Sequence, residues 1–438
     1  MLQIRLPLLA SLLIGVGWPP TCFAAPGDAT TPPNIIFILA DDLGYGDLGC
    51  YGQHNLDTPR IDRMASEGLR FTQHYAGSTV CAPSRACLLT GQHTGHVHQR
   101  ANGEIAFRPD PLDRCFVSSL QEAGYSTAMI GKSGLSCRTD NQRLPNEKGF
   151  DHFFGYSSHG AAHRYFPRSL WRDGLKVEYP GNRGKSGDTY SGDEFLRDTL
   201  TWLEANRDNK FFLHLSLQQP HLDLNAPKAW RDKYVGKFEE TPIPPNHYRG
   251  ESHPKATFAA MVAYLDDTVG QVLDKLDELG VAENTLVIFS SDNGPVNEGG
   301  WSIEHFNSNG PLRGHKRDMY EGGVRVPMIA YWPGRIEPGR TTDHVSAFWD
   351  FAPTACELAG VAAPADTDGV SYLPTLLDKG QQPPHDYLYW EFYEQGGKQA
   401  VRRGDWKAVR LDVLNKKPEA FELYNLAQDL GEENNIAN

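Results

Sequence analysis

Five apolar runs constrain this chain more than anything else in it: NIIFILA at 34–40, STAMIG at 126–131, FFLHLSL at 211–217, TLVIFSS at 285–291 and VPMIAYW at 326–332. Short runs that are apolar on both faces suit strands covered on both sides, which is the situation of parallel strands beneath crossover helices. Helical patterns lie between them. In ATFAAMVAYLDDTVGQVLDKLDELG, residues Met261, Leu265, Val269, Val272, Leu276 and Leu279 recur at helical spacing and Gly280 supplies the stop. Strand and helix alternate, so the pattern predicts a doubly wound α/β sheet.

With 438 residues the chain exceeds one ordinary core and fits a large α/β unit with a smaller appendage. We expect the large unit at 32–362. GVAAPADTDGVSYLP reads as the linker, and 363–438, with YLYWEFY and WKAVRL, reads as a small antiparallel subdomain. Residues 1–24 read as a secretory signal peptide: Arg5, an apolar run from Leu6 to Val16, then small residues around Ala24 and Ala25. That run is too short for a membrane span, which needs about 20 residues, so a secreted or periplasmic protein without stable membrane insertion is expected.

In sheets of this kind ligands bind beyond the carboxyl ends of the strands. Asp41 and Asp42 follow the first run, Lys132 the second, His221 the third, Asp292 and Asn293 the fourth. Singly, each has an ordinary reading as a helix cap, a turn or a solvated side chain. Their shared position after successive strands favours a site. Three carboxylates brought together repel unless a cation neutralises them, and a set of Asp, Asp, Asp and Asn suits a hard ion. Ca²⁺ is expected ahead of Mg²⁺, which keeps more of its waters. A formal net charge of −13 excludes nucleic acid as a partner, so any field that attracts an anion must be local.

The segment CAPSRACLLTG, residues 81–91, then carries a signature: Cys-x-Pro-Ser-Arg followed by x-x-Leu-x-Thr-Gly, matched at Cys81, Pro83, Ser84, Arg85, Leu88, Thr90 and Gly91. On these residues the chain resembles the type I sulfatases of the alkaline phosphatase superfamily. The likeness runs from PNIIFILADDLGYGD through SDNGP and LRGHKRDMYEGGVRVP to FELYNLAQDLGEENNIA. It implies an alkaline-phosphatase-like fold, a large mixed or parallel sheet sandwiched by helices, with a smaller C-terminal antiparallel sheet. It also implies that Cys81 is oxidised before folding to formylglycine, by a formylglycine-generating or equivalent enzyme. An aldehyde hydrate carries two hydroxyls on one carbon. One can attack sulfur and displace the alcohol; loss of the other's proton then expels sulfate and restores the aldehyde.

The resemblance further implies that Asp41, Asp42, Asp292 and Asn293 are calcium ligands, with the modified Cys81 adding an oxygen. Arg85 would steady the hydrate and the ligand carboxylates. Lys132, His221 and Lys316 would hold sulfate oxygens, with His221 or Lys316 as the general acid for the leaving alcohol. Family members commonly read Gly-Lys-Trp-His-Leu-Gly where this chain reads GKSGLSC, so Gly134 replaces a histidine that takes the proton during sulfate release. A variant group of the family has glycine there. SSHGAAHRYFP offers His159 and His163, with His163 the expected replacement and His93 a weaker one; the competing reading is that such a histidine contacts substrate or caps a loop. Family members also usually extend beyond the LYNLAQD stretch, so either the small subdomain is abbreviated or the sequence is incomplete at Asn438.

The expected activity is hydrolysis of a sulfate monoester, on a carbohydrate or an aryl sulfate. Two alternatives are a phosphate or phosphonate ester hydrolase on the same scaffold and a non-catalytic sulfoglycan-binding protein. The loops HRYFPRSLWRDG and NEGGWSIEHFNSN contain Arg164, Arg168, Trp171, Trp301 and His305. With His159, residues of this kind suit contacts to sugar rings and their anionic groups.

Overall fold

Among the described residues, eleven strands form the large sheet: β1 (Asn34–Asp41), β2 (Leu69–Tyr75), β3 (Ser126–Gly131), β4 (His152–Gly155), β5 (Ser169–Arg172), β6 (Leu175–Glu178), β7 (Phe211–Pro220), β8 (Thr285–Ser291), β9 (Arg325–Tyr331), β10 (Arg340–Thr342) and β11 (Ser346–Ala347). They lie in the order β10-β2-β9-β8-β1-β7-β3-β4-β5-β6, with β11 also paired to β2. The computed structural model describes residues 32–105, 107–108, 112–134, 145–156 and 158–437. The leader expected at 1–24 lies outside these residues.

Strands β3, β7, β1 and β8 are parallel neighbours, as expected for four of the five apolar runs. The fifth departs. β9 is as buried as the others but runs antiparallel to both β8 and β2. A parallel return needs a crossover that carries the chain back to the far end of the sheet. Segment 292–324 contains only the short helix Glu321–Val324, so the chain re-enters the sheet at the end where β8 left it. The sheet is therefore mixed.

β1 alternates between two cores, as the two-residue period of a strand requires. Ile36 and Ile38 pack with Met261, Leu265 and Val269 of the helix Pro254–Glu278 and with Phe195 and Leu203 of the helix Ser191–Asn206. Ile35, Phe37 and Leu39 face Leu88, Leu120, Phe351 and Ala355 on the other side. The long helix starts with Pro254 in its first turn, where a missing N–H costs nothing, and Gly280 beyond its end takes φ +68. Among the described residues no helix is long and apolar enough to cross a membrane.

A second sheet comprises β12 (Leu388–Phe392), β13 (Lys398–Arg403), β14 (Trp406–Leu411) and β15 (Glu422–Asn425), antiparallel and in that order. Its apolar side, Trp390, Phe392, Ala400, Val409 and Tyr424, packs on Tyr75, Val80, Ala86, Met319 and Trp349. Trp390 donates its indole N–H to the Ala76 carbonyl at 3.0 Å. A buried ionic group accompanies the apolar contact. The Lys407 ammonium, at 0% exposure, lies 2.9 Å from Glu321 Oε1 and 3.1 Å from Glu432 Oε1, and Arg325 pairs with Glu321 Oε2 at 3.2 Å. The small sheet is thus keyed to the segment that leads into β9.

Candidate active site

The C-terminal ends of the parallel strands supply a single polar cluster. β1 delivers Asp41, and Asp42 follows with φ +62, a left-handed conformation that Asp tolerates better than most residues. The Asp42 N–H donates to Asp292 Oδ1 at 3.1 Å, which joins the end of β1 to the end of β8. At the end of β3, Gly131 has φ +110, and a Cβ there would fall 2.0 Å from the Ser216 carbonyl oxygen. Only glycine allows that approach, and it sets up the bond from the Lys132 N–H to the same oxygen at 2.8 Å. β7 is followed by His221 and β8 by Asp292 and Asn293, all buried.

Cys81 arrives from a strand that the apolar runs did not reveal. β2, LRFTQHY, alternates buried and half-buried positions because it lies near the sheet edge. The helix Cys81–Thr90 follows β2, and all ten of its residues are buried. Cys81 is its first residue, where backbone N–H groups lack intrahelical partners and the helix dipole favours negative charge. Gly91 closes the helix at φ +73.

Three cations face three carboxylates. Lys132 Nζ donates to Asp41 Oδ2 at 2.6 Å and Lys316 Nζ to Asp42 Oδ2 at 2.8 Å. Arg85 bonds Asp292 Oδ2 through Nε at 2.9 Å, and its Nη1 donates to the Lys132 carbonyl at 2.6 Å and to Ser216 Oγ. His221 Nδ1 faces the Leu222 carbonyl, so that nitrogen carries the proton and Nε2 accepts from Lys316 Nζ at 3.2 Å. The Cys81 thiol lies 3.4 Å from Asp41 Oδ1 and 3.9 Å from Asp42 Oδ1.

Burial and these neighbours set the charges. Burial works against the Asp41 carboxylate, yet Lys132, His221, Arg85 and Lys316 together hold it well below the ordinary range. Asp42 is raised by burial, with Lys316 opposing and Asp41 adding to the rise. Burial, with Asp41 adding, pushes Asp292 up to about 7. Burial also keeps the Cys81 thiol well above its usual value despite Lys132 and Lys316. A protonated thiol against carboxylates is a hydrogen-bond donor, and the thiolate is the form of cysteine that attacks.

The donor set fits a hard cation. Asp41, Asp42, Cys81 and His221 each offer an atom within 4.8 Å of the others. Asn293 gives its amide N–H to Asp42 Oδ1 at 2.7 Å, while its Oδ1 is buried without a hydrogen-bond partner. An orphaned amide oxygen beside Asp42 and Asp292, carboxyls raised first by burial and further by Asp41, is what an oxygen-preferring divalent ion would satisfy.

His163 joins the cluster by stacking on His221, with ring centroids 4.4 Å apart and planes at 21°. His159 meets His163 edge-on at 5.5 Å, and neither of its ring nitrogens has a partner although it is only 4% exposed. Burial, reinforced by Lys132, keeps both rings neutral and brings His163 down to about 3. Gly134 sits at φ +75, and a Cβ there would fall 2.8 Å from Ile105 Cδ1. Ile105 therefore fills the space that a side chain at 134 would claim.

The remaining expected residues lie apart. His93 is at the far end of the Cys81–Thr90 helix, where its Nδ1 accepts the Gly95 N–H at 3.0 Å and its ring stacks on His96 near Asp368. Its Nε2 lies 3.8 Å from Asp368 Oδ2. Arg164 and Arg168 are exposed, and Trp171 is half-buried on β5. Trp301 is 5% exposed and stacks on Phe258 at 4.7 Å, so it belongs to the core rather than to an open sugar platform. His305 is exposed, edge-on to Phe238. Among the described residues no hydrogen bond or ion pair joins Arg164, Arg168, Trp301 or His305 to the cluster. Sequence reasoning missed Ser216 and also the carboxylates Glu298 and Glu394, which pair with Arg317 beside Lys316.

Comparison with known proteins gives consistent relatives. The family model described as "Sulfatase" matches residues 33–361, and one described as "N-sulphoglucosamine sulphohydrolase, C-terminal" matches 314–438. The N-acetylgalactosamine-6-sulfatase of Mus musculus is 33% identical over 410 residues, covering 87% of this chain and 72% of that one. Among solved structures, Ps i-CgsB in complex with k-i-k-neocarrahexaose superposes with TM-score 0.78 at 26% identity, covering 93% of this chain and 89% of the other. BT4656 in complex with its substrate D-glucosamine-2-N,6-O-disulfate gives TM-score 0.74 at 25% identity, covering 93% of each.

Proposed function

Because this chain belongs to the sulfatase family and is a sulfuric ester hydrolase, we propose that it is an exported enzyme that removes sulfate from a carbohydrate, with formylglycine at position 81 and calcium held by Asp41, Asp42, Asp292 and Asn293. The observation that carries the reading is Cys81 itself. It is a buried, protonated thiol at a helix N-terminus, enclosed by Asp41, Lys132 and Lys316, and so unsuited to attack as it stands. The sulfated sugars named for its relatives support the substrate class, and the leader pattern at 1–24 supports export.

Formylglycine, as its hydrate, supplies the nucleophilic hydroxyl, and calcium supplies positive charge against the reacting group. The protein's own groups do the rest. Arg85, Lys132 and Lys316 balance the three carboxylates, so a divalent ion leaves surplus positive charge for a sulfate monoester. Lys132 and Lys316 stand on either side of residue 81 through Asp41 and Asp42 and hold sulfate oxygens. Lys316 Nζ donates to His221 Nε2 at 3.2 Å, and this pair serves the leaving alcohol as general acid. His163, stacked on His221, takes the proton whose loss releases sulfate. On that role His163→Ala lowers kcat by about 10² to 10⁴-fold with KM little changed; an unchanged kcat would reduce His163 to packing on His221.

The test begins with mass spectrometry of the tryptic peptide FTQHYAGSTVCAPSR from protein made in a host that modifies and exports it. An aldehyde mass at residue 81 is expected. Such protein should turn over an aryl sulfate in preference to the matching aryl phosphate by about 100-fold or more, and a calcium chelator should abolish that turnover. Preference for the phosphate would make it a phosphate ester hydrolase. Sulfated-sugar binding without turnover, with the aldehyde present, would make it a binding protein.

A further inference from the structure

The two segments that carry residue 81 and Lys316 are tied together by one carboxylate of the small sheet. Glu394, just after β12, accepts the Asn102 N–H on Oε1 at 2.7 Å. Asn102 Oδ1 in turn accepts the Ala82 N–H at 3.3 Å, so the amide immediately after residue 81 is held through it. On its other oxygen Glu394 takes the guanidinium of Arg317, the neighbour of Lys316.

Arg317 is held from every side. Its N–H donates to the Thr79 carbonyl at 3.0 Å, two residues before Cys81. Its carbonyl accepts from Lys398 Nζ of β13 at 2.7 Å, and its Nε lies 3.5 Å from Glu298 Oε2, whose Oε1 takes the Tyr248 hydroxyl at 2.5 Å. Its φ of +79 is a conformation that a non-glycine residue keeps only where its surroundings fix it. Arg317, Glu298 and Glu394 keep 25%, 31% and 27% of their side-chain surface exposed, so the bridge runs near the surface rather than through the core.

We propose that Glu394 is a positioning residue: through Asn102 and Arg317 it fixes the distance between residue 81 and the Lys316 ammonium. This rests on the reading of residue 81 and Lys316 as reacting groups. The role is one of alignment, so its loss should be felt in the chemical step and spare affinity, since misplacement of reacting groups by about 1 Å costs up to about 100-fold.

The experiment compares Glu394→Ala, Glu394→Gln, Asn102→Ala and the Glu394→Ala/Asn102→Ala double variant with wild type on an aryl sulfate. The formylglycine content of residue 81 and the Tm are measured on each preparation. Expected are a kcat about 10 to 100-fold lower in both alanine variants, KM within about 2-fold, and Tm lower by no more than about 3 °C. The double variant should lose little more than either single one, because both changes cut one chain of contacts. Glu394→Gln, whose amide oxygen can still accept the Asn102 N–H, should lie nearer wild type. Unchanged kcat in Glu394→Ala, additive losses, or kcat falling only in step with Tm or aldehyde content would each overturn the proposal. If Glu394→Ala does not fold, Asn102→Ala decides alone by the same kcat and KM criteria. Wild-type protein that carries the aldehyde yet leaves aryl sulfate untouched would instead overturn the underlying functional reading.

Discussion

Cys81→Ala should abolish turnover, by about 10⁶-fold, the loss seen when the nucleophile of a hydrolase is removed, and should leave the fold standing. Its Sγ makes its hydrogen-bond contacts with Asp41 at 3.4 Å and Asp42 at 3.9 Å. Alanine is compatible with the first turn of a helix, and the loss of one buried sulfur is expected to cost about 1 kcal/mol, a shift of a few degrees in Tm. Arg85, Lys132 and Lys316 keep their carboxylate partners in this variant. It should therefore still bind sulfate, seen as a Tm rise on adding sulfate, while kcat/KM on an aryl sulfate falls to background. Residual turnover within about 100-fold of wild type would mean that water attacks sulfur directly and that residue 81 only lines the site.

The largest effect on stability is expected at Lys407→Met. Lys407 is fully buried between Glu321 and Glu432, at 2.9 Å and 3.1 Å. Burial works against the Glu321 carboxylate, but Lys407, Arg325 and Arg402 hold it down to about 2, whereas burial pushes Glu432 up to about 7 with Lys407 opposing. Removing the ammonium leaves two buried carboxyl groups short of a partner, and breaking a buried pair in this way costs about 3 to 5 kcal/mol. Tm should fall by several degrees in thermal unfolding. The loss should ease below neutral pH, because Glu432, already raised, then takes a proton and no longer needs a cation. An unchanged Tm would show that Arg325 and Arg402 suffice for the whole group.

All five apolar runs were legible as strands because burial on both faces leaves a continuous apolar run, and the rim residues were legible because they follow four of those runs directly. β2 was not, since an edge-side strand alternates, and with it went any structural reason to place Cys81 beside Asp41. The direction of β9 was hidden too, because burial looks the same in either direction and only the lack of a long crossover helix decides it. Lys316 precedes its strand by several residues, so it was found through resemblance rather than position. Trp301 shows the limit for loops: a tryptophan in a polar segment reads alike whether it meets a sugar or Phe258. Glu298 and Glu394 pair with Arg317 from segments far apart in the chain, a relation that no local pattern encodes.

The complete burial of Cys81, together with the bond that runs from Ala82 through Asn102 to Glu394, has a consequence for timing. If residue 81 is modified as proposed, a modifying enzyme would have to reach the thiol before the chain closes over it. The yield of active protein would then be set by a competition between oxidation and closure. On the proposed reading, substitutions that slow closure over Cys81 without weakening the finished fold would raise the fraction of chains that carry the aldehyde, which mass spectrometry of the residue 81 peptide would read out.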